Sequence, residues 1–219
     1  MKGVFVTGTD TDVGKTVLCA ALMSSAPETV IYWKPVQSGL AESEGDTATV
    51  RRLAGLAPER VLDEGYRLAA PASPHHAAAA EKQEVSLAPL LDIIRRNDTP
   101  QRRWVVEGVG GLLVPLSASD LLPEVIKALG LPVLVASSTR LGTINHTLLT
   151  LSELEHRKLS TLGVVLMGPE DEGARTGIVQ HGRAPILARL PHLDPLDAAN
   201  VRAQGDFLWS VPRIREVLT

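Results

Sequence analysis

The chain has 219 residues, 44% hydrophobic and 21% charged, with a formal net charge of -3 and a single cysteine. That length suits one α/β domain with a well-buried sheet, and so mild a charge excludes a broad attraction to nucleic acid. No stretch reaches the roughly 20 apolar residues needed to cross a bilayer, Met1-Lys2 leaves no room for a signal peptide's apolar core, and one cysteine cannot form an internal disulfide; the expectation is a cytoplasmic protein with neither membrane nor nucleic-acid partner.

In chain order, the apolar run Val4-Phe5-Val6 predicts a strand over 3–7. Gly8-Thr-Asp-Thr-Asp-Val-Gly14-Lys15-Thr16 follows it and opens a helix through Val17-Leu18-Cys19-Ala20-Ala21-Leu22-Met23. Strand, glycine-rich loop and helix together make a phosphate loop: small residues let backbone N–H groups turn around an anion, and the helix adds its positive dipole end. A lysine at position 15 meets terminal phosphates, and a threonine hydroxyl at 16 can ligate Mg²⁺. Five residues, Thr9 to Val13, separate Gly8 from Gly14, where the usual pattern has four. Cys19, among helix residues, reads as a packed thiol.

Further apolar runs predict strands over 30–33, 104–107, 132–137, 162–167 and 186–190, continuous enough to be covered on both faces. Helical spacing predicts helices over 46–54, 87–96, 121–129 and 144–157, another entered near His75, one over 174–181, and short helices over 197–203 and 212–218. The fold expected is a mostly parallel sheet with helices on both faces, whose ligands gather at the carboxyl ends of the strands.

Two strand ends carry charge suited to phosphoryl chemistry. Lys34, before Pro35-Val36-Gln37-Ser38-Gly39, puts a second ammonium at the edge that holds Lys15, and two cations there can stabilise a transferring phosphoryl group. As a sheet-edge cation it should contribute little to packing, so its replacement is expected to spare the fold. Glu107 ends the strand Trp104-Val105-Val106-Glu107 before Gly108-Val109-Gly110-Gly111, where a carboxylate can help hold Mg²⁺. Asp46, at an expected helix start, reads locally as an N-cap, with metal binding as the sharper alternative. His75 and His76 lack partners at zinc spacing, and His146 reads as a helix-start hydrogen bonder.

The ordered set Gly8-Thr-Asp-Thr-Asp-Val-Gly-Lys-Thr16, Lys34-Pro-Val-Gln-Ser-Gly39, Pro71-Ala-Ser-Pro-His75, Glu107-Gly-Val-Gly-Gly111 and Leu141-Gly-Thr-Ile-Asn-His146 resembles the dethiobiotin synthetase family over most of the chain. The resemblance implies a single-domain phosphate-loop NTPase fold and an enzyme that uses ATP, Mg²⁺ and CO₂ to close a ureido ring on 7,8-diaminopelargonic acid in biotin synthesis, through a carbamate and a carbamic-phosphoric anhydride. By position, Lys15 and Lys34 would flank the reacting oxygens, and Thr16, Asp46 and Glu107 would hold Mg²⁺, which reverses the local reading of Asp46. Thr11 and Ser38 would contact the diamine. Asp12, Val13, Gly14, Lys15, Thr16, Val17, Glu107, Gly108, Val109 and Gly110 would border the nucleotide and its phosphates, and Met167, Gly168, Pro191, His192 and Leu193 its base.

The resemblance also implies a homodimer in which Asn145 reaches a substrate held mainly by the other subunit. Where the family commonly reads adenine with an asparagine, this chain has Met167, which lacks an amide's paired donor and acceptor; acceptance of other nucleoside triphosphates, CTP included, is expected. Asp194 and Asp197 are the alternatives for a ribose-binding acid. A rival reading is a nucleotide-switched partitioning or assembly ATPase of the related phosphate-loop group, whose members generally carry an extra lysine early in the loop, where this chain has Thr9 and Asp10. A weaker rival is an amide-forming synthetase domain of cobalamin synthesis.

Overall fold

The computed structural model describes residues 1–219. In chain order its strands are β1 (Gly3–Gly8), β2 (Val30–Trp33), β3 (Val36–Gln37), β4 (Val61–Leu62), β5 (Tyr66–Arg67), β6 (Arg103–Gly111), β7 (Val133–Ser138), β8 (Thr161–Met167) and β9 (Ile186–Leu190). The helices are α1 (Lys15–Ser24), α2 (Gly45–Ala54), α3 (Pro74–Ala80), α4 (Leu87–Asn97), α5 (Leu122–Leu129), α6 (Thr143–His156), α7 (Glu172–Gly182), α8 (Ala198–Ser210) and α9 (Pro212–Leu218). Seven strands form one sheet in the order β4-β2-β6-β1-β7-β8-β9, with β3 and β5 as a separate pair. Every pairing is parallel.

Side chains alternate across a strand, and here both faces are covered. Val4, Val6, Tyr32, Val105, Leu134 and Val165 join one apolar cluster with residues of α1, α2, α8 and α9. Phe5, Trp33, Trp104, Val106, Val135 and Leu166 join the other, with residues of α4, α5, α6 and α7. A sheet buried on both sides has no polar face to alternate with, which is why its strands read as unbroken apolar runs. Cys19 lies in the first cluster, fully buried. No helix is long and apolar enough to cross a membrane.

The expected strands and principal helices are present, with boundary shifts of a few residues. The two-residue strands β3, β4 and β5 and the 3₁₀ turn Pro58–Arg60 carry too few residues to show a period. The helix expected over 197–203 runs on to Ser210. Gly205 lies where α8 meets α1, and a β-carbon there would collide with the Ala21 carbonyl oxygen and the Ser24 hydroxyl.

Gly205→Val should therefore force α8 off α1 and cost about 1–3 kcal/mol through overpacking. Urea unfolding of the pure variant measures this, and unchanged stability would show that the two helices separate freely.

Candidate active site

Parallel topology sets three strand ends side by side. β2, β6 and β1 are consecutive in the sheet, with Trp33 in register with Val106 and Val6 with Glu107. The residue after β2, the acid within β6 and the loop after β1 thus meet at one edge, on the α1 face. The loop bends sharply: Asp12 has φ 52 and Gly14 φ 97. Gly14 precedes α1, no side chain caps that helix, and its first-turn N–H groups are free to meet an anion.

Lys15, Lys34, Thr11, Asp12, Gly14, Thr16, Val17, Ser38, Asp46, Val109 and Gly110 line one cleft of about 440 Å³. Lys15 Nζ donates to the Asp10 carbonyl at 2.7 Å; burial, reinforced by the Lys34 charge, holds this ammonium below the ordinary lysine range. Lys34 is different. Its Nζ lies 2.6 Å from Asp46 Oδ2 and 2.8 Å from Glu107 Oε1 and donates to the Gly108 carbonyl at 3.1 Å. Burial alone would lower it, but Glu107 and Asp46 more than offset burial and raise it above the lysine range. Asp46 is held below the ordinary carboxylate range, its own burial being outweighed by Lys34 and by the Thr16 hydroxyl.

Two expectations are corrected here. Lys34 is not a solvated edge cation: it is 2% exposed and paired with a fully buried Glu107. Removing one partner of such a pair strands the other charge, so the fold would not be spared. Asp46 is not an N-cap either. The capping position is Glu44, without a side-chain cap bond, and Asp46 sits in the first turn with its carboxylate given to Lys34 and Thr16.

The donor set suits a hard divalent cation. Thr16 Oγ1 lies 2.8 Å from Asp46 Oδ1 and 3.0 Å from Glu107 Oε1, close to the ~2.9 Å edge of an octahedron with metal–oxygen distances of about 2.05 Å. All three groups are oxygen donors, two of them acids, the donor type that Mg²⁺ prefers.

Two supporting residues were not anticipated. Tyr32 Oη donates to Glu107 Oε2 at 2.8 Å, and burial, then Glu107, holds this phenol well above its usual range. Gln37 Oε1 accepts from Thr47 N and Oγ1 at 3.1 and 3.2 Å, which tethers the start of α2 and with it Asp46. Tyr32 sits inside an apolar strand, where an aromatic reads as core, and nothing in the local sequence points its hydroxyl at Glu107.

A second cleft of about 320 Å³ adjoins the loop, lined by Asp12, Val13, Gly14, Val17, Met167, Gly168, Pro191, His192 and Leu193 with Ser138, Thr139 and Arg140. Met167 packs over the loop, and a β-carbon on Gly14 would stand 2.9 Å from its Cε. No asparagine or glutamine lines this cleft, and the Thr139 hydroxyl is buried without a partner. Asp197 caps α8 by accepting from Asn200 N at 2.8 Å, leaving Asp194 as the less committed acid. Asn145 is exposed in the first turn of α6 and lines neither cleft. The His146 backbone N–H donates to the Gly142 carbonyl at 3.1 Å, and His146 borders a third hollow of about 350 Å³ with Thr9, Asp10, Leu113 and Leu149.

A family model described as an AAA domain matches residues 2–200. The chain is 46% identical over 203 residues to the ATP-dependent dethiobiotin synthetase BioD of Rhizorhabdus wittichii, covering 92% of this chain and 93% of that one. It is 47% identical over 209 residues to the biotin biosynthesis bifunctional protein BioCD of Bordetella avium, covering 95% of this chain and 42% of that longer protein. Among solved structures, a ParA family ATPase from Chlorobium tepidum superposes with a TM-score of 0.57 at 13% identity, covering 99% of this chain and 96% of that one, a likeness of fold. With this fold, this cleft and near-full-length identity of that order, the chain belongs to the dethiobiotin synthetase family of phosphate-loop proteins.

Proposed function

We propose that the protein is an ATP-dependent dethiobiotin synthase: it closes a cyclic urea on 7,8-diaminopelargonic acid with CO₂, at the expense of a nucleoside triphosphate. The observation that carries this reading is the convergence of Lys15, Lys34, Thr16 and Asp46 on one cleft, with Glu107 buried against Lys34 and Thr16 behind it. The partitioning ATPases share the fold at 13% identity, whereas the synthetase relative shares nearly half its residues. A nucleoside triphosphate co-substrate fits a cytoplasmic enzyme, with residues 1–219 as one catalytic unit.

One amine adds to CO₂ and loses a proton, giving a carbamate. A carbamate oxygen attacks the γ-phosphorus, the nucleoside diphosphate leaves, and a carbamic-phosphoric anhydride results. The second amine then attacks the carbamoyl carbon, loses its proton and expels inorganic phosphate. Substrate atoms supply both nucleophiles, so the protein's contribution is position and charge. Lys15 and the free amides of α1 hold the phosphates. Lys34 turns from its carboxylates toward the carbamate and phosphoryl oxygens, while Thr11 and Ser38, on the cleft wall, meet the diamine. Thr16, Asp46 and Glu107 would hold Mg²⁺, which when bound neutralises phosphate charge.

The neighbouring cleft receives the base on Val13, Met167, Gly168, Pro191, His192 and Leu193. The Met167 thioether offers dispersion and no paired hydrogen bonds, so ATP, CTP and other triphosphates are all accommodated. A homodimer is supported by apolar side chains left bare: Leu141 is fully exposed, Leu149 62%, Val179 51% and Leu113 49% exposed. The first turn of α6 has no side-chain cap and carries Asn145, so it would receive the distant carboxylate of a substrate bound to the partner.

Three outcomes are expected. Phosphate release should require both the diamine and bicarbonate, with dethiobiotin formed in equal amount and comparable initial rates for ATP, CTP, GTP and UTP; release without the diamine would support a switch ATPase, and a strong ATP preference would reject the role given to Met167. Lys34→Ala should cut turnover by about 10²–10³-fold and also lower unfolding stability by roughly 3 kcal/mol, read by steady-state rates and urea unfolding; normal turnover would remove Lys34 from the reaction. Because an anion is bound by charged Lys15, whose pKa is lowered, equilibrium nucleotide affinity should fall as pH rises below the ~10.4 of a free lysine; constant affinity up to that value would contradict the loop geometry.

A further inference from the structure

Glu107 is fully buried, and the structure divides its two oxygens between different tasks. Oε1 receives Lys34 Nζ at 2.8 Å and Thr16 Oγ1 at 3.0 Å, on the side of the cleft. Oε2 receives the Tyr32 hydroxyl, at 2.8 Å, on the side of the core, and the buried Cys19 thiol lies beside the same carboxylate. Tyr32 is itself fully buried in the cluster beneath α1, two residues before Lys34 and in register with Val105 of β6. Its ring packs like any core aromatic, yet its one polar atom points at a carboxylate rather than at solvent.

We propose that Tyr32 is a positioning residue for the reaction: it holds Glu107 so that Oε1 alone is presented to the divalent cation. The inference rests on the reading of Thr16, Asp46 and Glu107 as that cation's donors. Octahedral Mg²⁺ takes one oxygen from such a carboxylate, because the bite of a single carboxylate is shorter than an octahedral edge. In the structure Lys34 also restrains Glu107, but that restraint is lost when Lys34 turns toward the substrate's anionic oxygens. The Tyr32 bond is not lost. It comes from a rigid ring, on the far side of the carboxylate, with nothing else for its hydroxyl to bind. A phenylalanine would fill the same space and remove that donor, leaving beside the carboxylate only the weakly donating Cys19 thiol just when one orientation is required.

The test uses Tyr32→Phe in the full chain, with Mn²⁺ as the probe and ADP bound, read by electron paramagnetic resonance. Mn²⁺ binding should weaken about tenfold, the scale of outer-shell effects at metal sites, while ADP binding in EDTA stays unchanged. In a Glu107→Gln background, Tyr32→Phe should add nothing further. Unchanged Mn²⁺ affinity, or the same loss in the Glu107→Gln background, would overturn the proposal while leaving the cation site intact. A Glu107→Gln variant that binds Mn²⁺ as tightly as the unaltered protein would instead sink the reading of the cation site, and this proposal with it. Should the phenylalanine variant fail to fold, the chain's two tyrosines permit fluorotyrosine labelling and ¹⁹F NMR. Adding Mg²⁺ to the ADP complex should shift the Tyr32 signal but not that of Tyr66, whose hydroxyl accepts from Ser86 N at 3.0 Å; an unmoved Tyr32 signal overturns the proposal.

Discussion

A buried ammonium shared between two carboxylates organises this protein. Lys34 is 2% exposed, Glu107 is not exposed at all, and Asp46 closes the group from the cleft side. An isolated charge in that position would cost several kcal/mol of lost hydration, and the mutual attraction repays this only with good geometry and every remaining lone pair satisfied. The geometry is close: three of the contacts are 2.6 to 2.8 Å long, Tyr32 donates to Glu107 Oε2, and the single Thr16 hydroxyl proton is shared between Asp46 Oδ1 and Glu107 Oε1. On the proposed mechanism this arrangement holds a cation where negative charge would develop, and the same carboxylates would receive a divalent ion once the lysine moves.

The sheet makes that arrangement possible. Parallel strands end at a common edge, and the order β2-β6-β1 puts a lysine, an acid and a phosphate loop at adjacent ends without any long-range loop having to find its place. Helix α1, which begins at Lys15, covers the face on which Tyr32 and Glu107 meet, so packing of the first turn and integrity of the charge cluster depend on the same contacts. The close approach of α8 to α1 at Gly205 extends this dependence to the carboxyl-terminal part of the chain. Fold and site share the same contacts here, and the buried pairing of Lys34 argues that its loss would cost stability.

Much of this was legible in the residues. The phosphate loop, the doubly buried strands and the lysine after β2 follow from local patterns with a direct physical meaning, whereas Glu107, expected to end its strand, lies inside β6, which runs on to Gly111. What could not be read locally depended on distance in space. The role of Asp46 turns on Lys34 and Thr16, far away in sequence, and a first-turn acid reads as a cap when those partners are unknown. Lys34 read as a sheet-edge cation with little part in packing, and its burial becomes visible only when Asp46, Glu107 and the Gly108 carbonyl are found around its ammonium. Tyr32 was invisible among apolar neighbours, and the two-residue strands lacked the length to show a period. Family resemblance repaired the reading of Asp46 by supplying the missing spatial information, but it carried none for Tyr32.

The central claim is that Lys34 exchanges its two carboxylates for the reacting oxygens when substrate and cation arrive. A crystal structure with Mg²⁺, a non-hydrolysable triphosphate and 7,8-diaminopelargonic acid in bicarbonate tests it most directly. The account predicts Lys34 Nζ within hydrogen-bond distance of the carbamate and γ-phosphate oxygens and no longer on Asp46, with the cation on Thr16, Asp46 and Glu107 Oε1. A Lys34 still bridging both carboxylates, with the triphosphate and carbamate bound out of its reach, would contradict it.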